Sequence, residues 1–306
     1  MPLFTLLTAL ACPVQAETLD AAANAVESAY FNAARGAEIA TDIRRWSATN
    51  RYAVDCANPS AFALKLERDL DAHDGHFQVR LSRPEAPAGQ WLADWRAAGM
   101  AANAGVRDVR LLDPSIGYLR LSAFYAPDQA EPKLRAALLL LQDARGLILD
   151  LRQNGGGDAD TANLLLSSLI DPKTTSVQSI ETRSGLTPQA LSTTSLPRFP
   201  SDRPVVVLVD RRTGSAAEFL AYSLQNEKRA IVIGSRTGGA AHMIGEPTRL
   251  PHSLSITIPN GRPVNHKTGG DWEGLGVTPD QNGGDDPLHV ARRWIETQDD
   301  LGQGAR

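Results

Sequence analysis

The stretch GLILDLRQNGGGD, residues 146–158, predicts the centre of the fold. Its first seven residues form an apolar run of strand length, and the glycines after it are typical of a tight turn. Residues 160–170 then have the spacing of a helix. A continuous apolar strand that runs through a glycine turn into a helix is typical of a sheet whose faces are covered by helices.

The same alternation continues on both sides of this stretch. We predict a helix at 131–143, a strand VVVLVD at 205–210, a helix that begins near Ser215 and a strand AIVIG at 230–234. The sequence therefore predicts an α/β fold. Chemistry in such sheets collects in the loops at the carboxyl ends of the strands, where NGGG (154–157) and TGS (213–215) both lie.

The N-terminal part differs in composition and in the spacing of its apolar residues. Residues 18–72 are rich in alanine with helical spacing, and Asn58-Pro59-Ser60 is a good helix start. Short β runs begin at Phe77, which places a boundary near residue 73. We therefore expect a helical domain at 17–72, an α/β domain at 73–298 and a C-terminal tail at 299–306. The polar stretch 175–203 is predicted to be a long loop, with a short helix within it as an alternative.

The composition excludes several classes of function. The chain has 306 residues, is 42% hydrophobic and 22% charged, and carries a formal net charge of −4. Because acidic and basic residues are mixed along it, no basic stripe is available for nucleic acid. After the first residues no apolar run approaches the length of a membrane span, so we expect no stable membrane insertion.

The first residues suggest export. PLFTLLTALACPVQA, residues 2–16, is a short apolar run that ends in small residues of the kind a signal peptidase reads. We expect 1–16 to be a signal peptide and the mature protein to be periplasmic or secreted. The usual positive charge before the run is missing, so a start codon further upstream or a buried helix remains an alternative. Removing Cys12 with the leader would leave only Cys56, without a disulfide partner.

The stretch RRTGSAAEF, residues 211–219, has two interpretations. Ser215 followed three residues later by Glu218 is the pattern of a capping box, in which each side chain binds a free backbone N–H at the helix start. A helix N-terminus also gathers a partial positive field that favours a developing anion, which suits a nucleophile. The pattern alone leaves both interpretations open.

Four segments together carry a resemblance to a known family. They are DGH (74–76), GLILDLRQNGGGD (146–158), RRTGSAAEF (211–219) and DWEGLGVTPD (271–280). In their order and spacing they resemble the S41 family of serine peptidases, and the likeness covers about residues 20–295. It implies a ClpP/crotonase-like sheet-and-helix catalytic domain preceded by a small helical domain. It also implies hydrolysis of peptide or protein substrates without a metal or an organic cofactor.

Two features of the sequence indicate the branch of the family. Tail-specific members carry a lysine 25 residues after the nucleophile, where this sequence has Ala240. They also contain a PDZ domain, for which there is no room between DGH (74–76) and IGYLRL (116–121). The remaining resemblance is to the branch of the tricorn core and the interphotoreceptor retinoid-binding protein. It implies Ser215 as nucleophile, His76 as general base and Glu273 behind the histidine.

The implied base agrees with elementary chemistry. A serine hydroxyl needs an adjacent base near neutral pH, and an imidazole has a suitable pKa. On its own, His76 is more typical of an exposed loop histidine with His73 as its neighbour. His73 and His76 would suggest a metal pair, but no third ligand has suitable spacing, so we expect no metal site. His242, in TGGAAHM, is a second candidate base.

The orienting acid is less defined. A catalytic imidazole needs an acceptor that fixes its tautomer. In the tricorn pattern a serine just before the histidine relays to the glutamate, and here that position is Gly75. The link from Glu273 is therefore direct, bridged by water, or replaced by Asp74.

The glycine turn supplies the remaining part of the predicted site. Acyl transfer needs N–H donors that stabilise an oxyanion, and glycines let the backbone turn its amides inward. We expect this oxyanion hole to use Gly155 or Gly156 together with the amide of Ala216. A plain strand-to-helix turn is compatible with the same residues. Asp150 and Arg152 are predicted to form a structural ion pair.

A rival function is a binding module. Retinoid-binding relatives keep this fold while carrying apolar ligands, and a fold does not establish an activity. The presence of Ser215, His76 and Glu273 together favours the enzyme over a carrier of a retinoid-like or fatty-acid-like ligand. The oligomeric state is not predicted from the sequence.

Overall fold

The computed structural model describes residues 13–55, 58–82, 90–112, 115–193 and 196–303. The chain divides into two compact units. Unit 1 comprises residues 1–86, 181–186 and 242–262, and unit 2 comprises 87–180, 187–241 and 263–306. Residues 73–86, 181–186 and 242–262, which the sequence analysis assigned to one α/β domain, thus group with the N-terminal helices. Cys12, Cys56 and residues 1–12 of the expected leader lie outside the described residues.

Within those ranges the structure has eight α-helices and thirteen strands. The helices are α1 (Pro13–Ala29), α2 (Ala33–Ala48), α3 (Pro59–Asp71), α4 (Gln90–Ala101), α5 (Pro127–Leu141), α6 (Ala159–Leu169), α7 (Ala216–Asn226) and α8 (Pro287–Gln303). The strands are β1 (Gln78–Leu81), β2 (Val106–Leu112), β3 (Ile116–Leu121), β4 (Gly146–Asp150), β5 (Ser176–Thr182), β6 (Gly185–Ala190), β7 (Val205–Val209), β8 (Ile231–Gly234), β9 (Met243–Ile244), β10 (Thr248–Leu250), β11 (Leu254–Thr257), β12 (Pro259–Asn265) and β13 (Gln281–Asn282). None of the helices in the described part of the chain is long and apolar enough to cross a membrane.

Unit 2 is built on a six-stranded sheet in the order β13-β8-β7-β4-β3-β2. The pairs from β3 to β13 are parallel, and only β2 runs antiparallel to its neighbour. Strands β4 and β7 lie in the middle, as their continuous apolar sequences predict for a parallel sheet covered on both faces. The two stretches that carry the predicted site, 154–157 and 213–215, follow these two adjacent strands.

Alternating side chains of the central strands enter two separate cores. Leu147 and Leu149 of β4 pack with the buried faces of α5, α6 and α7. Ile148, between them, points to the opposite face and packs with Ala291 and Ile295 of α8. Because successive residues of a strand point to opposite faces, an uninterrupted apolar strand needs helices on both sides.

The helix after the glycine turn begins with a side-chain cap. Asp158 accepts a hydrogen bond from the Thr161 amide at 2.8 Å, which satisfies one of the free N–H groups of the first turn of α6. The predicted helix at 160–170 is observed at Ala159–Leu169. A local side-chain hydrogen bond thus fixes the start of α6.

One prediction for this region was wrong. The stretch 175–203 was expected to be a long loop, but it contains strands β5 and β6. Val177 of β5 is buried in the core of unit 2, whereas several residues of β6 are exposed. A polar composition hid both strands, because β6 is mostly exposed and β5 buries the polar residues Gln178 and Ser179 beside Val177, so neither strand has an apolar alternation.

Unit 1 combines α1, α2 and α3 with a three-stranded antiparallel sheet in the order β1-β11-β10. Its buried residues repeat at helical spacing on α1 (Leu19, Ala22, Ala23, Val26) and on α3 (Phe62, Ala63, Leu66, Leu70). Asn58 caps α3 by accepting from the Ala61 amide at 3.1 Å, so the helix start predicted at Asn58-Pro59-Ser60 is confirmed. Residues 13–16 of the expected leader lie in the first turn of α1.

The predicted ion pair of Asp150 and Arg152 is confirmed. The Arg152 guanidinium donates to both carboxylate oxygens of Asp150, at 2.9 and 2.6 Å, and the Tyr118 hydroxyl donates to the same carboxylate at 2.7 Å. Asp150 is fully buried at the end of β4. Burial raises the pKa of Asp150, but the hydrogen bonds from Arg152 and Tyr118 outweigh this effect and hold the pKa below the ordinary aspartate value.

Replacing Asp150→Asn should destabilise the protein at neutral pH. Removing one partner of a buried ion pair leaves an uncompensated charge, which costs about 3 kcal/mol. Because the folded-state pKa is depressed, the stabilisation is complete above the ordinary aspartate pKa of about 3.9 and is lost as the pH falls toward the folded-state value. Denaturant unfolding of Asp150→Asn and wild type at pH 7 and pH 3 should show a difference that shrinks in acid.

Asp285→Asn, on the exposed surface, is the matched control and should unfold like the wild type at both pH values. A stability difference for Asp150→Asn that is the same at pH 7 and pH 3 would contradict the ionic origin of the effect.

Candidate functional site

Ser215 lies at the start of α7, in the loop that follows β7. Its backbone has φ 51° and ψ −122°, and its side chain is on the exposed surface. A positive φ is costly for a residue with a Cβ and persists only where the surroundings enforce it. Backbone strain of this kind clusters at active sites, so the conformation supports a chemical role for the residue.

Glu218, three residues further, is bound far more extensively than a capping box requires. Its Oε2 accepts from the Ser215 amide at 2.9 Å and from the Ala240 amide at 2.8 Å. Its Oε1 accepts from the Gly239 amide at 2.7 Å and from the Thr237 hydroxyl. The carboxyl group is fully buried, so all four bonds are shielded from water. Glu218 therefore joins the helix start that carries Ser215 to the loop 237–240.

The glycine turn lies directly against this helix start. Gly156 has φ +105°, and a Cβ built on it would lie 2.7 Å from the Ser215 Cβ and 2.9 Å from the Ala216 nitrogen. Such distances leave no room for a side chain. Only glycine satisfies both the dihedral angle and the close approach at this position.

The amides of the predicted oxyanion hole differ in their partners. The Gly156 N–H donates to Asn154 Oδ1 at 2.9 Å. Among the described residues, neither the N–H of Gly155 nor that of Ala216 has a hydrogen-bond partner. Of the two glycines that the sequence offered, Gly155 is thus the one whose amide is available together with that of Ala216.

Two buried polar side chains hold the turns after β4 and β7 in place. The Asn154 side chain donates to the Leu121 carbonyl at 3.2 Å, and the Asn154 backbone carbonyl accepts from the Gly214 amide at 2.9 Å. Thr213 donates to the Leu151 carbonyl at 2.9 Å. Both side chains are fully buried. Because buried polar groups are costly to leave unpaired, these bonds set the spacing of the two loops.

The predicted base lies in unit 1, beside a buried carboxylate. His76 Nδ1 is 3.3 Å from Asp74 Oδ1, and the backbone N–H of His76 donates to the same oxygen at 2.9 Å. His242 Nδ1 is 2.7 Å from Asp74 Oδ2, which also accepts from the Tyr30 hydroxyl at 3.0 Å. A single carboxylate therefore binds both candidate bases.

The electrostatics of Asp74 follow from these contacts. Burial raises the pKa of its carboxyl group, but the hydrogen bonds from His242 and His76 outweigh burial and hold the pKa well below the usual range. An ionised carboxylate only accepts, so it fixes the tautomer in which His242 Nδ1 carries the proton. Nε2 of that ring is then the basic nitrogen.

Glu273 lies in unit 2, in the segment after β12. Its Oε2 accepts from the Ala241 amide at 2.8 Å, and its own amide donates to Asp271 at 2.8 Å. The neighbouring Trp272 is buried and donates through its ring nitrogen to the Ala240 carbonyl at 3.1 Å. These bonds connect the 271–273 segment with the loop that Glu218 holds.

The predicted residues thus fall into two groups. Ser215, Gly155, Gly156, Ala216 and Glu218 come together in unit 2. In unit 1, Asp74 and His76 come together, and Gly75 between them is exposed with no atom within 4 Å of the position a Cβ would take. Of the three routes left open for orienting His76, the structure shows a carboxylate contact from Asp74.

Sequence reasoning missed three contributors to these groups. They are Tyr30, Asn154 and Thr237, each of which contributes through a hydrogen bond to a group distant in sequence. Asn154 stood within the quoted NGGG stretch and Thr237 within TGGAA, so a polar residue beside glycines was an available signal. Tyr30 carries no such signal, because a tyrosine in a helical stretch is typical of a core.

Comparison with known proteins identifies the family of this chain. The sequence profile of peptidase family S41 matches residues 115–282, a segment that contains the glycine turn, Ser215 and Glu273. The chain belongs to peptidase family S41. It is 35% identical over 170 residues to a carboxyl-terminal-processing protease of Synechocystis sp., an alignment that covers 55% of this chain and 38% of that protein. The chain thus spans well under half the length of this curated relative.

Solved structures show the same fold at low sequence identity. A lipoprotein from Streptococcus agalactiae superposes with a TM-score of 0.63 at 17% identity, over 93% of this chain and 97% of that one. A peptidase-like protein from Parabacteroides merdae, described as a putative peptidase, gives a TM-score of 0.57 at 21% identity, over 75% and 81% of the two chains. The predicted α/β fold class is confirmed.

Replacing Glu218→Gln should weaken the attachment of the loop 237–240 to the start of α7 and so destabilise the protein. The amide nitrogen of glutamine is a donor, and it would face two of the four groups that donate to the carboxylate. Leaving such buried donors unsatisfied costs about 3 kcal/mol. Urea unfolding should register this loss, and amide hydrogen exchange should show faster exchange at Gly239 and Ala240.

The exposed Glu246→Gln variant serves as the control, since it makes the same chemical change without burial. If Glu218→Gln unfolds at the same urea midpoint as the wild type, the four hydrogen bonds do not constrain the loop.

Proposed function

We propose that this protein is a serine peptidase that hydrolyses peptide bonds through an acyl-enzyme on Ser215. The observation that carries the proposal is the environment of this serine. It is exposed and held in a strained conformation, and the N–H groups of Gly155 and Ala216 have no hydrogen-bond partner in the described part of the chain. Membership of family S41 supports the same reaction and implies peptide or protein substrates.

The reaction follows from these groups. The Ser215 oxygen attacks the peptide carbonyl carbon while a base takes its proton, and the carbonyl oxygen becomes an oxyanion that the amides of Gly155 and Ala216 stabilise. Collapse of this intermediate breaks the C–N bond, and the leaving amine takes the proton from the imidazolium. Water then attacks the ester by the same route and releases Ser215. One preorganised donor contributes about 10²–10³-fold to such a rate.

The proposal assigns the base to His76. The Asp74 carboxylate stabilises the positive charge that forms on the imidazole when it takes the proton. Ser215 belongs to unit 2 and His76 to unit 1, so the mechanism requires that the two side chains meet within hydrogen-bond distance in the working enzyme. Glu273 is proposed as the further acidic group behind the catalytic histidine. His242 is the alternative base.

Export is part of the proposal. The leader-like residues 1–16 support a periplasmic or secreted location. Detection of the mature N-terminus by mass spectrometry after expression in a bacterial host with a periplasm would test this assignment, and recovery of the full-length chain in the cytoplasm alone would oppose it.

Serine-directed labelling tests the reaction itself. A fluorophosphonate probe should label the wild type at Ser215, and Ser215→Ala should abolish the label. His76→Ala should slow labelling by at least about 100-fold because the hydroxyl loses its base. Circular dichroism confirms that each variant is folded. A folded wild type that resists the probe and retains a co-purified lipid in native mass spectrometry would instead support the carrier.

Two neighbouring glycines provide a matched pair for the oxyanion hole. Gly156→Ala should abolish labelling, because its Cβ would collide with the Ser215 Cβ and the Ala216 amide. Gly155→Ala keeps its N–H and has no atom within 4 Å of the new Cβ, so it should be labelled within about tenfold of the wild-type rate. Equal labelling of the two variants would show that the contact between glycine turn and serine is not required.

A further inference from the structure

We propose that Asp74, His76 and His242 of unit 1 form a binding site for a divalent transition-metal ion such as Zn²⁺. These three residues are the ligand types that Zn²⁺ takes in proteins: two imidazoles and one carboxylate. The sequence analysis expected no metal site because it sought a third ligand near His73 and His76. The third ligand is His242, 168 residues after Asp74.

The distances between the ligand atoms of these side chains suit Zn²⁺. The ligand atoms of the three side chains lie within 4.8 Å of one another. Metal–ligand bonds of about 2.0–2.2 Å in a tetrahedral site separate neighbouring ligand atoms by roughly 3.3 Å. His76 Nδ1 lies 3.3 Å from Asp74 Oδ1, and His242 Nδ1 lies 2.7 Å from Oδ2, the other oxygen of the same carboxylate. Binding of the ion would replace the proton on His242 Nδ1.

The carboxylate is already held by groups that remain when a metal binds. The Tyr30 hydroxyl donates to Asp74 Oδ2, and the His76 backbone amide donates to Asp74 Oδ1. Outer hydrogen bonds of this kind fix the orientation of metal ligands and raise affinity. The His242 ring is also fixed by Phe31, whose ring meets it edge-on with centroids 4.9 Å apart.

The three side chains of the proposed site are largely buried. The side chain of Asp74 is 1% exposed, that of His242 11% and that of His76 18%. The two histidines are thus the more exposed members of the cluster. His73 is excluded from the site, since its ring nitrogens face Arg35 at 3.1 Å and Asp42 at 3.5 Å.

Occupation of the site would have a regulatory consequence. A metal bound to His76 takes up the lone pair of one ring nitrogen and places a positive charge on the imidazole, which opposes proton uptake. Zn²⁺ would then inhibit the peptidase reversibly. This consequence rests on the proposed function, whereas the binding site itself does not.

Metal binding is measured on the full chain carrying Ser215→Ala, so that the result is independent of catalysis. Zn²⁺ is titrated against a chromophoric chelator, and Co²⁺ is added separately to record its visible d–d bands. We expect one ion per chain and Co²⁺ bands characteristic of nitrogen and oxygen ligands. His76→Gln and His242→Gln in the same background should each weaken Zn²⁺ binding at least tenfold.

His252→Gln is the matched control, because His252 also lies in unit 1 and contacts a glutamate but not this cluster. It should bind Zn²⁺ like the parent. Tyr30→Phe should weaken binding less than removal of a histidine does. Circular dichroism without metal shows that each variant is folded. Binding that is absent in the parent, or that persists unchanged in folded His242→Gln, overturns the proposal.

The inhibition is tested separately on the active chain with the fluorophosphonate probe. Zn²⁺ should slow labelling at concentrations near its dissociation constant, and EDTA should restore the rate. Tight binding without any slowing would retain the metal site and refute only the role of His76 as base. An unlabelled enzyme with intact Zn²⁺ binding would refute the proposed function and leave the site standing.

Discussion

The arrangement in unit 2 depends on one buried carboxylate. Glu218 accepts four hydrogen bonds from groups in two separate segments, the start of α7 and the loop 237–240. Because it is shielded from water, each unmade bond would carry its full desolvation cost. The strained backbone of Ser215 is therefore maintained by interactions that its own segment does not contain.

The sheet supplies the frame for this interaction. Strands β4 and β7 are neighbours, so the loops that follow them emerge side by side, with Gly156 against Ser215. The Asp150–Arg152 pair and the buried Asn154 and Thr213 side chains then fix how each loop leaves its strand. The short contact at Gly156 is a result of this geometry, and it explains why a glycine stands there.

In unit 1 another buried carboxylate has a comparable role. Asp74 binds two imidazoles, a tyrosine hydroxyl and a backbone amide. The ionised form that these donors favour is suited both to orienting a base and to binding a cation. In the proposed mechanism a proton occupies the histidines, and in the proposed metal site an ion does, so the two proposals depend on the same atoms.

The sequence by itself determined the α/β class, the positions of α5, α6 and α7 and of β4, β7 and β8, the capping of α3 and the Asp150–Arg152 pair. These features depend on short-range periodicity and on neighbours two to four residues apart. The strands β5 and β6 were missed because their polar residues, buried in β5 and mostly exposed in β6, leave no apolar period. Only the tertiary structure decided that Glu218 binds the 237–240 loop, that Gly155 rather than Gly156 has an available amide, and that His242 shares Asp74 with His76. These contacts join residues up to 168 positions apart, and hydrogen bonding at such separation depends on chain folding that no local pattern encodes.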